Sequence, residues 1–233
     1  MKRIKEWGIS LKDWLFPHYC NICGNRLPKE GQVLCQSCLS KMPRTKYHTW
    51  PDNRMARQFW GKFPMERAAA WFFYSQGSSY AHIIHLFKYK GRKQLAIDVG
   101  RMMAIEMLSS GFFEGIDCII PVPLHNKRQR ERGYNQSELL AYGVSSVTHI
   151  PVVCDAVERI RYTETQTQRS SKERFENMQN VFRSRKGEPL VGKHILLVDD
   201  VMTTSATLTA CADALQVVPG IRVSFLTVAI ADH

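Results

Sequence analysis

The chain has 233 residues, of which 44% are hydrophobic, so it can bury a full core and is not an intrinsically disordered protein. No apolar run reaches the roughly 18 residues of a membrane-spanning helix, and charged residues interrupt the first positions. Both features argue against a signal peptide or a membrane span, so we expect a cytoplasmic protein. With 32 Lys and Arg against 21 Asp and Glu, the net charge of +11 suits a phosphate-rich partner such as nucleic acid without requiring one.

Four of the seven cysteines form two Cys-x-x-Cys pairs, and the other three stand singly among apolar neighbours. An odd number of cysteines without an export signal favours a reducing compartment, in which such pairs bind metal more often than they form disulfides. Four thiolates suit tetrahedral Zn²⁺ in a closed, structural site. The predicted ligands are Cys20, Cys23, Cys35 and Cys38. We expect the single residues Cys118, Cys154 and Cys211 to be small core residues.

The first part of the chain predicts an apolar helix followed by a cysteine-rich module. Trp7, Leu11, Trp14 and Leu15 would share one helix face, which would dock on the protein itself or lie on a membrane surface. We place one domain over residues 1–50, comprising this helix and a four-cysteine zinc ribbon, and a second domain over residues 51–233. Residues 51–64 are expected to be a linker or a surface excursion.

From residue 68 onward the hydrophobic pattern alternates between strands and helices. Strands are expected at 69–74, 118–122, 152–154, 194–198 and 222–230, and core-facing helices near 95–103, from residue 137 and over 208–215. Strands that alternate with helices indicate an α/β fold with a mostly parallel sheet and flanking helices.

The most informative stretch runs from residue 195 to residue 208 and reads ILLVDDVMTTSATL. An apolar strand leads to two adjacent carboxylates, Asp199 and Asp200, and ligands of open α/β sheets bind at the carboxyl ends of the strands. A hydroxyl-rich loop follows and opens a helix, whose N–H groups can bind a phosphate. The loop residues are Thr203, Thr204, Ser205, Ala206 and Thr207. A phosphate with a diol, or a phosphate with Mg²⁺, would fit, and the alternative is a surface turn followed by a helix cap.

This order of strand, acidic pair, hydroxyl-rich loop and helix resembles the 5-phosphoribosyl-1-pyrophosphate (PRPP) motif of type I phosphoribosyltransferases. The resemblance implies that Asp199 and Asp200 are the catalytic acids, contacting the ribose hydroxyls directly or through water and Mg²⁺, and that the loop binds the 5-phosphate. The family usually has glycine where this chain has Ser205. A Cβ at that position is expected to crowd the phosphate or to require a less favourable backbone angle.

Residues 121–136 contain a basic stretch that we expect to be a loop. Its cations are Lys127, Arg128, Arg130 and Arg132. By position it resembles the loop that holds pyrophosphate in those enzymes, with Gly133 allowing close backbone approach and Asn135 beside it. A solvated basic loop and an anchor for nucleic-acid phosphates are the alternatives, and charge does not choose among the three.

A polar segment over residues 158–182 is too long for an ordinary connector. It resembles the mobile loop that closes over the substrate in type I phosphoribosyltransferases, which would exclude water from an oxocarbenium-like centre. The residues assigned to it are Arg159, Gln166, Arg174 and Asn177. The alternative is a plain helix with a charged outer face, begun by Ser170 and Glu173 at capping-box spacing.

Over nearly its full length the chain resembles the ComF family, including its GntX-like members, in which a four-cysteine motif precedes a phosphoribosyltransferase domain. Besides the cysteines and the PRPP motif, the matching segments are 86–91 (LFKYKG), 122–124 (VPL) and 132–136 (RGYNQ). The resemblance implies a type I phosphoribosyltransferase-like fold over residues 51–233 and a cytoplasmic protein of natural competence and DNA uptake. Its implied partners are PRPP, single-stranded DNA and other competence proteins.

Two functions follow from this resemblance. The first is transfer of a phosphoribosyl group from PRPP to an acceptor, with Mg²⁺ and with release of pyrophosphate. The second is a non-catalytic module that senses PRPP while it binds single-stranded DNA or a protein, with bases stacked on aromatic residues near the basic ones. The candidate stacking residues are Trp50, Trp60, Tyr89 and Tyr134.

Overall fold

A computed structural model describes residues 17–28, 31–161, 181–185 and 188–232 of the chain. Its central strands are β1 (Ala68–Tyr74), β2 (Cys118–Pro121), β5 (His194–Met202) and β6 (Arg222–Ala231). They form one parallel sheet in the order β1–β6–β5–β2. The sheet places β5 between two neighbours, since Val198 pairs with both Pro121 and Leu226. The expected α/β class with a mostly parallel sheet is confirmed.

Helices flank the sheet. Those described are α1 (Gln36–Ser40), α2 (Arg54–Arg57), α3 (Ala81–Tyr89), α4 (Lys93–Met107), α5 (Asn126–Arg132), α6 (Gln136–Thr148) and α7 (Ala206–Asp213), with 3₁₀ turns at Tyr47–Thr49, Leu108–Ser110 and Glu188–Leu190. Helices α4 and α6 meet at Gly100 and Gly143, where a Cβ on Gly143 would lie 2.1 Å from the carbonyl oxygen of Ile97. Because α6 also packs on β2 and β5, this contact sets the position of α6 over the sheet.

Short extended segments lie along both edges of the sheet. At one edge Val152 forms a single parallel pair with Ile119, so the strand expected at 152–154 is reduced to one ladder pair. At the other edge Arg44 forms an antiparallel pair with Phe72, which joins the chain after the cysteines to the backbone of β1. A separate antiparallel pair consists of β3 (Val157–Arg159) and β4 (Phe182–Ser184).

The expectation of a linker or surface excursion over residues 51–64 is wrong. Met55, Phe59 and Phe63 are buried, and Phe59 stacks on Phe225 of β6 with ring centroids 4.2 Å apart. These apolar residues recur at every fourth position, which is the spacing of one helix face. The segment is therefore part of the core beside the sheet.

The basic stretch expected as a loop over residues 121–136 contains the helix α5. The ring of His125 accepts the N–H of Lys127 at its start, and Gly133, with φ of +80°, ends it. Lys, Arg, Gln and Glu are good helix formers, so a run of them between these two signals forms a helix. Among the single cysteines, Cys118 and Cys211 are buried as expected, whereas Cys154 is only half-buried.

One cluster of buried apolar side chains extends from the cysteine module, through Leu27 and Leu34, to β6. The boundary between residues 50 and 51 stays a prediction. The apolar helix predicted around Trp7 and Trp14 lies outside the described residues. Within the part of the chain that the structure describes, no helix is long and apolar enough to cross a membrane.

Candidate functional site

The two acidic residues lie near the carboxyl end of β5. The neighbouring strand β2 ends at Pro121, which pairs with Val198, so Asp199 and Asp200 come just after the level at which β2 stops. The acidic pair and the start of the basic helix α5 thus follow the carboxyl ends of two neighbouring strands, at the same edge of the sheet. This is the edge at which open α/β sheets bind ligands.

Asp199 lies in surroundings that favour its protonated form. Burial, followed by repulsion from Asp200, raises the pKa of the Asp199 carboxyl to about 7. Its Oδ1 accepts hydrogen bonds of 2.9 Å from the Ser137 hydroxyl and from the backbone N–H of Asp200, which oppose that rise. The first turn of α6 therefore holds the carboxyl of Asp199 in place.

Asp200 is 4% exposed and has one strong partner. Its Oδ1 lies 2.8 Å from Nζ of Lys88 in α3, while its Oδ2 is buried with no hydrogen-bond partner among the described residues. Burial lowers the pKa of the Lys88 ammonium, but the charges of Asp200 and Asp199 outweigh burial and raise it. Lys88 therefore stays a cation, and Oδ2 of Asp200 is left available to a ligand.

The pair suits a hydroxyl or a divalent cation of the Mg²⁺ type. Mg²⁺ takes oxygen ligands, and in phosphate sites it is bound by one or two carboxylates together with substrate phosphates. The unpartnered Oδ2 of Asp200 and the carboxyl of Asp199 offer such oxygens. A bound cation would also favour the ionised form of Asp199, whose pKa burial raises.

The hydroxyl-rich loop leads directly into α7. Thr203 is exposed, Thr204 and Thr207 are half-buried, and Ser205 is 2% exposed. Ser205 is the N-cap residue of α7, yet its side chain does not cap the helix. The first N–H groups of α7 thus receive no bond from Ser205 and can face an anion.

The less favourable backbone angle expected at Ser205 is not found, and the expected crowding of the phosphate stays a prediction. Its φ of −68° is an ordinary helical value, and its hydroxyl donates to the carbonyl of Gln58 at 3.0 Å instead of capping the helix. Glycine is therefore not required here by backbone conformation.

An open cavity of about 410 Å³ lies between the end of α3 and α5. Its lining residues are Lys88, Tyr89, Gly91, Arg128, Glu131, Arg132 and Tyr134. Three cations face one carboxylate, so the cavity favours an anion. Lys88 both lines the cavity and contacts Asp200, so this lysine links the cavity to the acidic pair.

The other basic-segment residues have structural contacts. The N–H of Lys127 bonds the His125 ring in the first turn of α5, and Gly133 ends the helix. The buried amide of Asn135 donates to the carbonyl of Val122 and accepts the N–H of Ser137, so Asn135 positions the serine that bonds Asp199. Asn135 thus acts on Asp199 indirectly, through Ser137.

Arg159 of β3 is brought toward the acidic pair. Burial, and then the charge of Arg128, lowers the pKa of its guanidinium, whereas the charge of Asp199 raises it. Arg159 therefore lies within electrostatic reach of both α5 and Asp199. Gln166, Arg174 and Asn177, assigned to the same polar segment, lie outside the described residues, as do Ser170 and Glu173.

The four predicted zinc ligands converge. The Sγ atoms of Cys20, Cys23, Cys35 and Cys38 all lie within 4.8 Å of one another. The Sγ atoms of Cys23 and Cys35 are 3.6 Å apart, close to the roughly 3.8 Å that two ligands of a tetrahedral zinc would have.

Backbone donors favour the thiolate of Cys20, whereas burial and the neighbouring cysteines raise the pKa of the Cys38 thiol. Burial raises the pKa of the Cys20 thiol, but backbone N–H groups, among them that of Cys35 at 3.3 Å from its Sγ, lower it to about 6. The donor set fits a metal such as zinc, which would be held by the four sulfurs.

The chain has extended similarity to proteins named for DNA use and competence. No protein-family model matches it. The DNA utilization protein YhgH of Shigella flexneri is 33% identical over 213 residues, which cover 90% of this chain and 85% of the relative. Competence protein F of Haemophilus influenzae is 30% identical over 207 residues, covering 86% and 79%. Competence protein ComFC of Bacillus subtilis is 26% identical over 198 residues, covering 85% and 71%.

The chain belongs to the ComF family. Among solved structures, this ComF-family protein is similar to an adenine phosphoribosyltransferase, with 15% identity, a TM-score of 0.41 and coverage of 64% of this chain and 75% of the other. It is also similar to the glutamine PRPP amidotransferase of B. subtilis, with 17% identity, a TM-score of 0.37 and coverage of 60% and 30%. At these scores the likeness carries no detail of the site.

Sequence reasoning missed three polar residues of the ComF-family site. Lys88 lies in the segment LFKYKG, whose lysines were a usable signal, since a cation in a matching motif suggests a binding role. Ser137 directly follows the segment RGYNQ and reaches Asp199 from 62 positions away. Lys62 bonds to Ser205 across 143 positions, and its position between two buried phenylalanines gave no such signal.

Proposed function

We propose that this ComF-family protein binds PRPP with Mg²⁺ at the acidic pair of β5. The observation that carries the proposal is the buried, unpartnered Oδ2 of Asp200, which lies on the strand that leads into the uncapped N-terminus of α7. The carboxylate oxygen can accept a hydroxyl hydrogen or bind a cation, and the N–H groups of α7 can donate to a phosphate. Both belong to one strand–loop–helix unit. PRPP carries a diol, a phosphate and a diphosphate, and each has a complementary group here.

Each part of PRPP is assigned to a separate part of the site. Asp199 and Asp200 would contact the ribose hydroxyls or the bound Mg²⁺. The N-terminal turn of α7 would take the 5-phosphate. Lys88, Arg128 and Arg132 would face the diphosphate in the cationic cavity.

The arrangement supports transfer of the phosphoribosyl group. In this reaction the C1–O bond to the diphosphate breaks, an acceptor atom bonds to C1, and pyrophosphate leaves with the bond's electrons. The cations of the cavity would stabilise the charge that develops on the leaving group, and Mg²⁺ would supply further charge neutralisation. The residues identified here hold and orient PRPP, and the acceptor would bring the nucleophile.

Single-stranded DNA is proposed as a partner because exposed aromatic rings lie beside guanidinium groups. Tyr89 is 64% exposed with Arg132 at 5.3 Å from its ring centroid, and Trp60 is 61% exposed with Arg57 at 5.8 Å. Such pairs can stack bases and hold phosphates. Tyr134, expected as a stacking residue, is 8% exposed and donates its hydroxyl to the carbonyl of Phe87, so it is excluded from that role.

The relatives named for DNA utilization and competence support a role of this protein in DNA uptake or use, together with other competence proteins. A four-thiolate zinc site requires reduced cysteines, which is why we assign the protein to the cytoplasm.

The first test is calorimetric titration of Mg²⁺ and PRPP into the zinc-loaded protein and into Asp199→Asn/Asp200→Asn. We expect saturable binding by the wild type and its loss in the double variant. Asp117→Asn is a matched control, because Asp117 bonds the N–H of His194 at the opposite end of β5. Equal PRPP affinity of the wild type and the double variant would contradict the site assignment.

Two further measurements distinguish an enzyme from a non-catalytic sensor, and the DNA-binding residues from the PRPP-binding ones. Pyrophosphate release with a panel of nucleobases and amines as acceptors would show transfer, whereas binding without release would favour the non-catalytic sensor. A short single-stranded oligonucleotide should bind Asp200→Asn as tightly as the wild type, because the proposed stacking residues do not contact the acidic pair. Loss of oligonucleotide binding in Asp200→Asn would show that DNA binding depends on the acidic pair.

A further inference from the structure

The turn after α2 brings a lysine to the hydroxyl-rich loop. Phe59 and Phe63 are both buried against Phe225, with ring centroids 4.2 and 5.9 Å from it, and the turn between them is closed by the N–H groups of residues 62 and 63 on the carbonyl of Phe59. Gly61, with φ of +69°, makes this turn feasible. The side chain of Lys62 is therefore exposed, while the backbone that carries it is held in place by the two buried phenylalanines.

The donor and the acceptor are defined in each hydrogen bond between Lys62 and the loop. Nζ of Lys62 donates to Oγ of Ser205 at 3.1 Å, and that hydroxyl donates its own hydrogen to the carbonyl of Gln58 at 3.0 Å. The hydroxyl thus joins Lys62 to the N-cap position of α7. A glycine at position 205 would not provide this bond.

The charge of Lys62 is placed where a cation is unfavourable in the absence of a ligand. The N-terminus of a helix carries partial positive charge, so it favours anions and repels cations. Helix α7 has no acidic residue in its first turn, and no carboxylate of the described residues lies within ion-pair distance of Lys62. An anion between the ammonium and the helix N–H groups would be attracted by both, and it would offset the repulsion between them. The unpartnered Oδ2 of Asp200 is an independent sign that this strand–loop–helix unit takes a ligand.

We propose that Lys62, held by Ser205, is a phosphate-binding residue that completes the site for the phosphomonoester of the sugar phosphate. This proposal rests on the function proposed above, and it names a residue and a ligand group for that same site. The ammonium has two N–H donors besides the one on Ser205, and either can reach a phosphate seated on α7. Ser205 thereby has a role, which is to position Lys62.

The test compares three probes in calorimetry: PRPP with Mg²⁺, ribose 5-phosphate and inorganic pyrophosphate. Lys62→Met keeps most of the length of the side chain and removes its charge, and we expect it to weaken the binding of PRPP and of ribose 5-phosphate by the same factor, about ten-fold. Pyrophosphate binding should not change, because it is assigned to the cavity of Lys88 and Arg128. Lys62→Arg should restore most of the affinity, and Ser205→Ala, which removes the tether, should give an intermediate loss.

Lys193→Met is the matched control, since Lys193 pairs with Asp117 beside the start of β5 and should leave all three affinities unchanged. If wild-type affinity for ribose 5-phosphate persists in Lys62→Met, or if pyrophosphate weakens by the same factor, the role of Lys62 is wrong. If PRPP binding is lost in Asp199→Asn/Asp200→Asn but not in Lys62→Met, the PRPP site stands and only the role of Lys62 fails. If the wild type binds ribose 5-phosphate through Lys62 but not PRPP, the proposed function fails and the role of Lys62 stands.

Discussion

The acidic site and the cysteine module are assembled by different physical means. At the acidic site, packed elements hold every group in place: β5 is buried between β2 and β6, and α6 delivers Ser137 to Asp199. In the cysteine module, the described helix α1 has five residues, and the ligating sulfurs themselves are the groups that converge. The first region is preorganised by the core, whereas we expect the second to depend on a bound metal.

This difference indicates which kind of change would damage each region. A site built on a packed sheet loses function when the packing behind it changes, and its charges can be altered without unfolding. A small metal module loses its structure when the metal leaves, because binding free energy of the metal is folding free energy. The following four predictions test this contrast, from the largest expected effect to the smallest.

Removal of zinc is expected to unfold residues 20–38 and to leave the acidic site intact. Structural zinc contributes on the order of 10 kcal/mol in small modules. Hydrogen exchange before and after chelation, and in Cys20→Ser, should show lost protection in this segment with PRPP affinity retained. Cys154→Ser, which alters a half-buried cysteine outside the cluster, should behave as wild type. Full protection after chelation would show that packing on the main sheet is sufficient.

Gly143→Ala is expected to destabilise the whole fold by roughly 3 kcal/mol, because its Cβ would lie 2.1 Å from the Ile97 carbonyl oxygen. Urea denaturation should show a lower midpoint, with the α6 contact to Asp199 weakened as well. Ser145→Ala in the same helix adds no bulk and serves as control. An unchanged midpoint would mean that α4 and α6 separate at little cost.

The raised pKa of Asp199 predicts how the stability of the ligand-free protein varies with pH. The folded protein binds this proton with a pKa of about 7, and the unfolded chain binds it with a pKa of roughly 3.9. The protonated carboxyl therefore stabilises the fold fully below the unfolded pKa, and this contribution is lost as pH rises through about 7. Denaturation of wild type and Asp199→Asn between about pH 5 and 8 should show a fall with pH that the variant lacks. Parallel curves for the two proteins would contradict the assigned shift.

Ser137→Ala should have the smallest effect, a loss of about 1 kcal/mol in stability or PRPP binding, since it removes one hydrogen bond to Asp199. Calorimetry and thermal unfolding would both detect it. Ser146→Ala is the control, because that exposed hydroxyl bonds only the carbonyl of Gly143 in its own helix. A loss larger than ten-fold in PRPP affinity would show that Ser137 contacts the ligand directly.

The sequence predicted the parts of the site that are contiguous along the chain. The apolar run before Asp199 is buried in the sheet, and the small residues after it open α7, because strand, loop and helix signals act over a few neighbouring residues. The cysteine cluster was predictable for the same reason, since two Cys-x-x-Cys pairs already place their thiolates at ligand spacing. By contrast, the basic stretch at α5 was misjudged as a loop because its position in a family resemblance outweighed its helix-forming residues.

The local pattern of the sequence by itself determined the α/β alternation, the acidic pair at the end of a strand and the four sulfurs of the metal module. Tertiary structure alone decided which distant cations and hydroxyls meet that pair: Lys88 on Asp200, Ser137 on Asp199 and Lys62 on Ser205. The physical reason is that side-chain contacts between elements depend on how those elements pack in three dimensions. That packing is set by long-range burial, such as Phe59 on Phe225, which periodicity within one segment does not encode.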